Sequence, residues 1–240
     1  MDIIQTLAQQ LNLTAEQVGK TVQLIDEGNT IPFIARYRKE VTGSLDDSVL
    51  RTLDEKLTAL RNLAQRKQEV QDLIGAQGKL TEEVRAAIER AATVTEVDDI
   101  YRPFRPKRKT RASVARERGL EDLAILLFAQ EKSYTPSIEE QAARFVDPER
   151  EVPDVAAALQ GAMDIVAEEV SDNADYRREL RRLTFDAGSL TSKAAKEEDS
   201  VYAMYYDFSE PLRKLPGHRI LAIHRGEKEE FLKVALTVPE

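Results

Sequence analysis

Residues 45–77 read LDDSVLRTLDEKLTALRNLAQRKQEVQDLIGAQ, with no proline and no glycine before Gly75. Leu50, Leu53, Leu57, Leu60, Ala64, Val70 and Ile74 recur at spacings of three, four or their sums, the period of one helix face. The stretch predicts one helix roughly 45 Å long, at 1.5 Å per residue. Such a strut needs other helices over its apolar seam. A self-associating coiled coil is the alternative, disfavoured by Lys67 and Gln71, which interrupt the seam where it should be apolar.

Upstream, Ile3, Ile4, Leu7, Ala8 and Leu11 share a helical face. Thr14 with Gln17 has the capping-box spacing for a second helix carrying Val18, Val22 and Ile25, which Gly28-Asn29 ends. Thr30 is placed to cap a third, with Pro32 in the first turn and Phe33, Ile34 and Tyr37 as its bulk. Residues 1–44 are thus compatible with a helix-turn-helix-like element. A small bundle docked on the remainder fits the same pattern. Arg36, Arg38 and Lys39 form a small basic cluster at the third helix.

Downstream, Thr81 with Glu82 and Glu83 starts a further helix, acidic where the helix dipole is positive. Thr95 is expected to cap a short turn, and Pro103 and Pro106 forbid a continuous helix beyond it. Helix resumes near Arg111, and Gly119 punctuates it. LEDLAILLFAQ (120–130) reads as buried on most sides. Pro136, Pro148 and Pro153 sit near later helix starts. Val155, Leu159, Met163, Val166 and Val170 share one stripe, and Tyr176, Leu180, Leu183 and Phe185 follow in residues 174–186. RILAIHRGEKEEFLKVAL (219–236) has two Ile/Leu/Val-rich runs around Arg225-Gly226-Glu227 and reads as a β-hairpin. A lone hairpin is marginal and must pack on the helices or on further chain, so the sequence is expected to be the front of a longer protein. The expected fold is mostly α. It comprises a helix-turn-helix-like segment (1–44), a helical scaffold (45–210) built on the long central helix, and a small C-terminal β-hairpin (211–240).

Composition agrees. Charged residues are 32% of the 240, with only 10 Gly and 9 Pro, which suits long solvated helices. The absence of Cys excludes disulfides, zinc ribbons and thiol catalysis. Only His218 and His224 are available to a His-based metal site. No phosphate-binding GxxxxGK and no GxGxxG occurs. The acidic neighbours Asp46-Asp47, Asp98-Asp99 and Glu168-Glu169 point about 100° apart on a helix, which suits surface charge better than a metal site. No enzyme activity and no cofactor is expected. No signal peptide or membrane span is evident, so a cytoplasmic protein with no membrane partner is expected.

The net charge of −8 repels nucleic acid on average but conceals a local excess. Residues 1–97 carry −3 and residues 119–240 carry −10, whereas residues 98–118 hold 8 basic and 3 acidic side chains. In this island Arg102, Arg105, Lys107, Arg108, Lys109, Arg111, Arg116 and Arg118 alternate with Tyr101 and Phe104. Guanidinium groups fork onto phosphates and aromatics stack on bases. With six cations engaged, the salt slope for a single strand would be on the order of −4. The alternative is an internal clasp, the arginines paired with acidic helices and the two aromatics serving as anchors.

Four stretches carry a resemblance: IPFIARYRKEVTGSLDD (31–47), DDIYRPFRPKRKTRASVARERGLEDLA (98–124), LQGAMDIVAEEVSDNADYRRELR (159–181) and YYDFSEPLRKLPGHRILAIHRGEKEEFLKVAL (205–236). In order and along essentially the whole chain, they resemble the N-terminal region of the Tex-like bacterial transcription accessory proteins. The resemblance implies a long helical scaffold, related to a eukaryotic transcription elongation factor, with a helix-turn-helix-like element near its start. It also implies that RNase-H-like, helix-hairpin-helix and OB-type RNA-binding domains would follow in a full-length member. The expected role is a non-catalytic scaffold with weak, sequence-independent binding of single-stranded RNA or DNA. The expected contacts are Arg102, Arg105, Lys107, Arg108, Lys109, Arg111 and Arg116, with Arg36, Arg38 and Lys39. RNA polymerase-associated factors are the expected protein partners. A module docking on the transcription machinery is the rival.

Overall fold

The computed structural model describes residues 2–106, 108–131, 136–196 and 198–239. The chain divides into two compact units, residues 1–106 and 107–240, and the division falls inside the basic segment. The protein is mostly α, with one small antiparallel sheet.

In the first unit α1 (Ile3–Leu11), α2 (Ala15–Asp26), α3 (Ile31–Tyr37) and α4 (Lys39–Thr42) precede the 30-residue α5 (Asp47–Ala76), and α6 (Glu82–Arg90) and α7 (Val94–Tyr101) follow it. Local chemistry explains the starts. Thr14 and Gln17 make the expected capping box. Asp46 accepts from Val49 N at 2.9 Å and Ser48 Oγ at 2.8 Å, satisfying a free amide at the head of α5. These hydrogen bonds, the Val49 amide foremost, hold the Asp46 carboxyl below its usual range. At α7 the capping side chain is Thr93 rather than Thr95, accepting from Glu96 N at 3.2 Å.

The seam of α5 is covered within the chain. Leu53 and Leu57 pack with Leu7, Val18 and Val22 of α1 and α2, while Leu50 packs with Ile34 of α3. Farther along, Leu63, Val70 and Ile74 meet Ile88, Val97 and Tyr101. Burying each such side chain is worth about 1.5–3 kcal/mol. The two polar interruptions are satisfied by the end of α6. Lys67 Nζ donates to the Glu89 carbonyl at 2.6 Å, and Gln71 Nε2 donates to Glu89 Oε1 at 2.8 Å. A polar residue in the seam therefore selects α6 as its cover.

The second unit holds α8 (Arg111–Glu117), α9 (Glu121–Phe128), α10 (Ile138–Ala142), α11 (Val155–Asp172), α12 (Ala174–Ala187) and α13 (Gly217–Lys228), with strands β1 (Ser189–Ala194), β2 (Asp207–Pro211) and β3 (Leu232–Thr237). Helix α11 buries Ala158, Ala162 and Ile165 against α8 and α9, with Val155, Leu159 and Val166 flanking. Met163 and Val170, which share the apolar stripe in sequence, are exposed. The small residues form the contact because they permit close approach: a Cβ on Gly161 would lie 2.4 Å from Leu120 Cδ1. The expectation that residues 120–130 are buried on most sides is also corrected. Leu123 and Ala124 are buried, but Ile125 and Phe128 are exposed.

The C-terminal hairpin expected around Arg225-Gly226-Glu227 does not form. Residues 217–228 are helix α13, and only the second run is a strand. That strand pairs antiparallel with β1, as β2 does, giving the order β2-β1-β3 and the register Leu190↔Glu210 and Leu190↔Leu236. Gly226 is a packing glycine inside α13, since a Cβ there would lie 2.7 Å from Leu232 Cδ1 and 3.1 Å from Tyr202 Cδ1. The chain reverses later, where Glu230 adopts φ +60° and Phe231 N donates to the Gly226 carbonyl at 2.9 Å. Tyr202, Tyr205, Ile223 and Leu232 form the core beneath the sheet. Among the described residues no helix is long and apolar enough to cross a membrane.

Candidate nucleic-acid interface

The sequence TIPFIARYRKEVTGS (30–44) builds a short corner from two helices. Thr30 is extended, Pro32 occupies the first turn of α3, and Ile34 is wholly buried against Leu24, Leu45 and Leu50. Arg38 leaves helical geometry at φ −132°, which separates α3 from α4. Buried Thr42 then ties the corner down, its Oγ1 donating to the Arg38 carbonyl at 3.3 Å. With Ile34 and Thr42 turned inward, Phe33, Arg36, Tyr37, Arg38 and Lys39 are left outside.

These five side chains are organised. The Phe33 and Tyr37 rings, one helical turn apart, have centroids 5.3 Å apart and remain 37% and 56% exposed. The Arg38 guanidinium carbon lies 5.3 Å from the Phe33 ring centre, and that of Arg36 lies 6.0 Å from Tyr37. These are cation–π distances. Among the described residues, Arg36, Arg38 and Lys39 form no ion pair, and Arg38 Nη1 donates only to the Tyr37 carbonyl, at 3.2 Å.

The basic island is divided. Arg105 Nη2 lies 3.2 Å from Asp98 Oδ1, and its guanidinium carbon lies 5.4 Å from the Tyr101 ring. Arg66 sits against the same ring at 5.7 Å and donates to the same carboxylate at 2.9 and 2.7 Å. Tyr101 is buried, and Phe104 packs on its core, so both aromatics anchor the segment. Arg102 lies half-buried in a 3-10 turn, Arg102–Phe104. Lys107 is outside the described residues.

Beyond it, Arg116 Nη1 meets Glu168 Oε2 at 2.6 Å, with Glu121 and Glu169 each at 3.8 Å, and Arg118 pairs with Glu151. These two arginines tie α8 into its own unit. Arg108, Lys109 and Arg111 are exposed. Lys109 reaches Glu117 only at 4.0 Å, Arg111 reaches Asp164 at 3.8 Å while 87% exposed, and Arg108 has no ion pair among the described residues. Of the expected contacts, Arg36, Arg38, Lys39 and Arg108 are exposed with no ion pair among the described residues, and Lys109 and Arg111 are exposed with only long ones. The sequence pattern places Phe33 and Tyr37 in the bulk of the third helix, whereas the structure puts both rings at the surface. The usable signal was the RYRK run beside them. Among the described residues no group of three or more His, Asp or Glu is arranged to hold a metal ion.

Two family models match the chain, the Tex-like protein N-terminal domain over residues 1–75 and the Tex central region-like model over residues 133–240. The chain is 44% identical over 235 residues to Protein tex of Bordetella pertussis, covering 97% of this chain and 29% of that protein. It is 39% identical over 239 residues to Transcriptional accessory protein Tex of Neisseria gonorrhoeae, covering 98% and 31%. A human protein named S1 RNA-binding domain-containing protein 1 is 29% identical over 247 residues, covering 100% and 24%. The chain thus spans a third or less of the length of these relatives. It belongs to the Tex-like family, whose N-terminal domain and central region-like models it matches.

Proposed function

We propose that this chain is a non-catalytic, cytoplasmic scaffold of a Tex-like transcription accessory protein, and that it contributes weak, sequence-independent binding of single-stranded RNA or DNA. The observation that carries this is the corner formed by α3 and α4, where Arg36, Arg38 and Lys39 are exposed and have no carboxylate partner among the described residues. Arg108, Lys109 and Arg111 add exposed positive charge, whereas Arg105, Arg116 and Arg118 are engaged by acidic side chains. The first three helices, with the short turn between α2 and α3, act in this proposal as a helix-turn-helix-like element with α3 as its outward helix. Two relatives bear names that refer to transcription and to RNA binding, in keeping with nucleic acid as the partner.

Phosphate contacts alone give dissociation constants of roughly 10⁻⁴–10⁻⁶ M at physiological salt. The test is fluorescence anisotropy with single-stranded RNA and DNA at two salt concentrations. Combined Arg36→Glu, Arg38→Glu and Lys39→Glu should weaken binding at least about tenfold, since each reversal replaces a phosphate attraction by a repulsion. Unchanged binding in that variant, with its helical circular dichroism intact, overturns the assignment of the α3–α4 corner.

A further inference from the structure

Among the described residues, arginines lie against aromatic rings in two places, one closed by a carboxylate and one open. In the closed form Arg66 and Arg105 lie against Tyr101, and the Asp98 carboxylate binds both guanidinium groups. Tyr101 is 7% exposed, so nothing can be added to it. In the open form Arg36 and Arg38 lie against Tyr37 and Phe33, no carboxylate pairs with either among the described residues, and both rings reach solvent. What the open form lacks, relative to the closed one, is an anion and a cover for the rings. A nucleotide supplies both, with its phosphodiester as the anion and its base as a flat cover.

We propose that Phe33 and Tyr37 are a stacking platform for unpaired nucleobases, which makes the α3–α4 corner selective for single-stranded over double-stranded nucleic acid. This rests on the proposed phosphate contacts of Arg36, Arg38 and Lys39 and adds the groups that discriminate against duplex. A duplex offers its phosphates to the same cations, but its bases are stacked inside and cannot reach the rings. Stacking is sequence-tolerant because every base has a π-face. The alternative is that the two rings only brace one another along a seven-residue helix, and an i,i+4 aromatic pair does this without any ligand.

The chain has no tryptophan, so Tyr37→Trp introduces a sole indole reporter at the platform. Titration with a short single-stranded RNA or DNA should quench its emission. An abasic strand of the same length and charge should leave the emission unchanged and bind about five- to tenfold more weakly, the lower range of base–aromatic stacking. Tyr37→Ala should weaken the base-bearing strand by the same factor while leaving duplex and abasic binding unaltered. Phe33→Leu, which keeps apolar bulk on the helix, should weaken it in the same selective way and guards against an unfolded Phe33→Ala. Equal binding of abasic and base-bearing strands, or equal loss of duplex binding in Tyr37→Ala, overturns the platform. If the charge-reversal variant still loses binding in that case, only the platform has failed. If charge reversal also has no effect, the underlying phosphate contacts have failed too.

Discussion

Arg116 donates to Glu168 Oε2 at 2.6 Å, while Thr110 Oγ1 donates to Glu168 Oε1 at 3.0 Å, so both carboxylate oxygens are engaged where α8 packs on α11. The Glu168 side chain is only 15% exposed. Arg116→Met therefore removes one charge-assisted hydrogen bond from a largely buried carboxylate. The expected loss is about 1.5–3 kcal/mol in urea unfolding. Nucleic-acid affinity of the folded variant should be unchanged.

The Arg36, Arg38 and Lys39 cations have the opposite expectation. With three phosphates engaged on a single strand, the plot of log K against log salt should gain a slope of about −2 from this corner. Arg36→Ala alone should reduce that slope by about 0.7 with little effect on the unfolding midpoint. Anisotropy titrations over a salt series measure it.

Arg61 joins α5 to α2 by donating to both oxygens of Asp26, at 2.7 and 2.8 Å. That hydrogen bonding holds the Asp26 carboxyl below its ordinary value despite opposing desolvation. A depressed folded value means the pair's stabilisation is complete above the unfolded carboxylate value of about 3.9 and is lost as pH falls through the folded value. The pair is half exposed, so Arg61→Ala should cost no more than about 1 kcal/mol at neutral pH. The cost should shrink in high salt and vanish in strong acid, as followed by urea midpoints across pH.

Gly226 and Gly217 discriminate helix from hairpin. Gly226→Ala presses a methyl against Leu232 and Tyr202 and should destabilise the protein by about 1–3 kcal/mol. Gly217→Ala, at the first position of α13 with open space around it, should instead stabilise by about 0.4–1 kcal/mol. Paired thermal melts compare them.

Local chemistry was legible wherever a residue decides its own surroundings. The Thr14–Gln17 box, Pro32 in a first turn, and the uninterrupted 47–76 helix follow from caps and period alone. The 219–236 segment is ambiguous because its short apolar runs suit strand or helix equally, and Gly226 has the look of a turn residue although its task is to admit Leu232. Similarly, Met163 and Val170 matched a helical stripe, yet the buried face of α11 is the one whose alanines fit against α8 and α9.

The candidate interface shows the same division. Composition located every basic side chain, and the irregular motifs were sufficient for the family. Charge along a chain carries no information on pairing, because a salt bridge needs two groups brought within a few ångströms by packing. Only the tertiary structure separated Arg105, Arg116 and Arg118, which face carboxylates, from Arg36, Arg38 and Lys39, which pair with none among the described residues. Helix period and capping are properties of neighbours in sequence, so the sequence alone determined the mostly helical class and the long strut. Which cations and rings face water is set by contacts between distant elements, and the fold decided it by seating Ile34 and Tyr101 in the core while leaving Phe33 and Tyr37 outside.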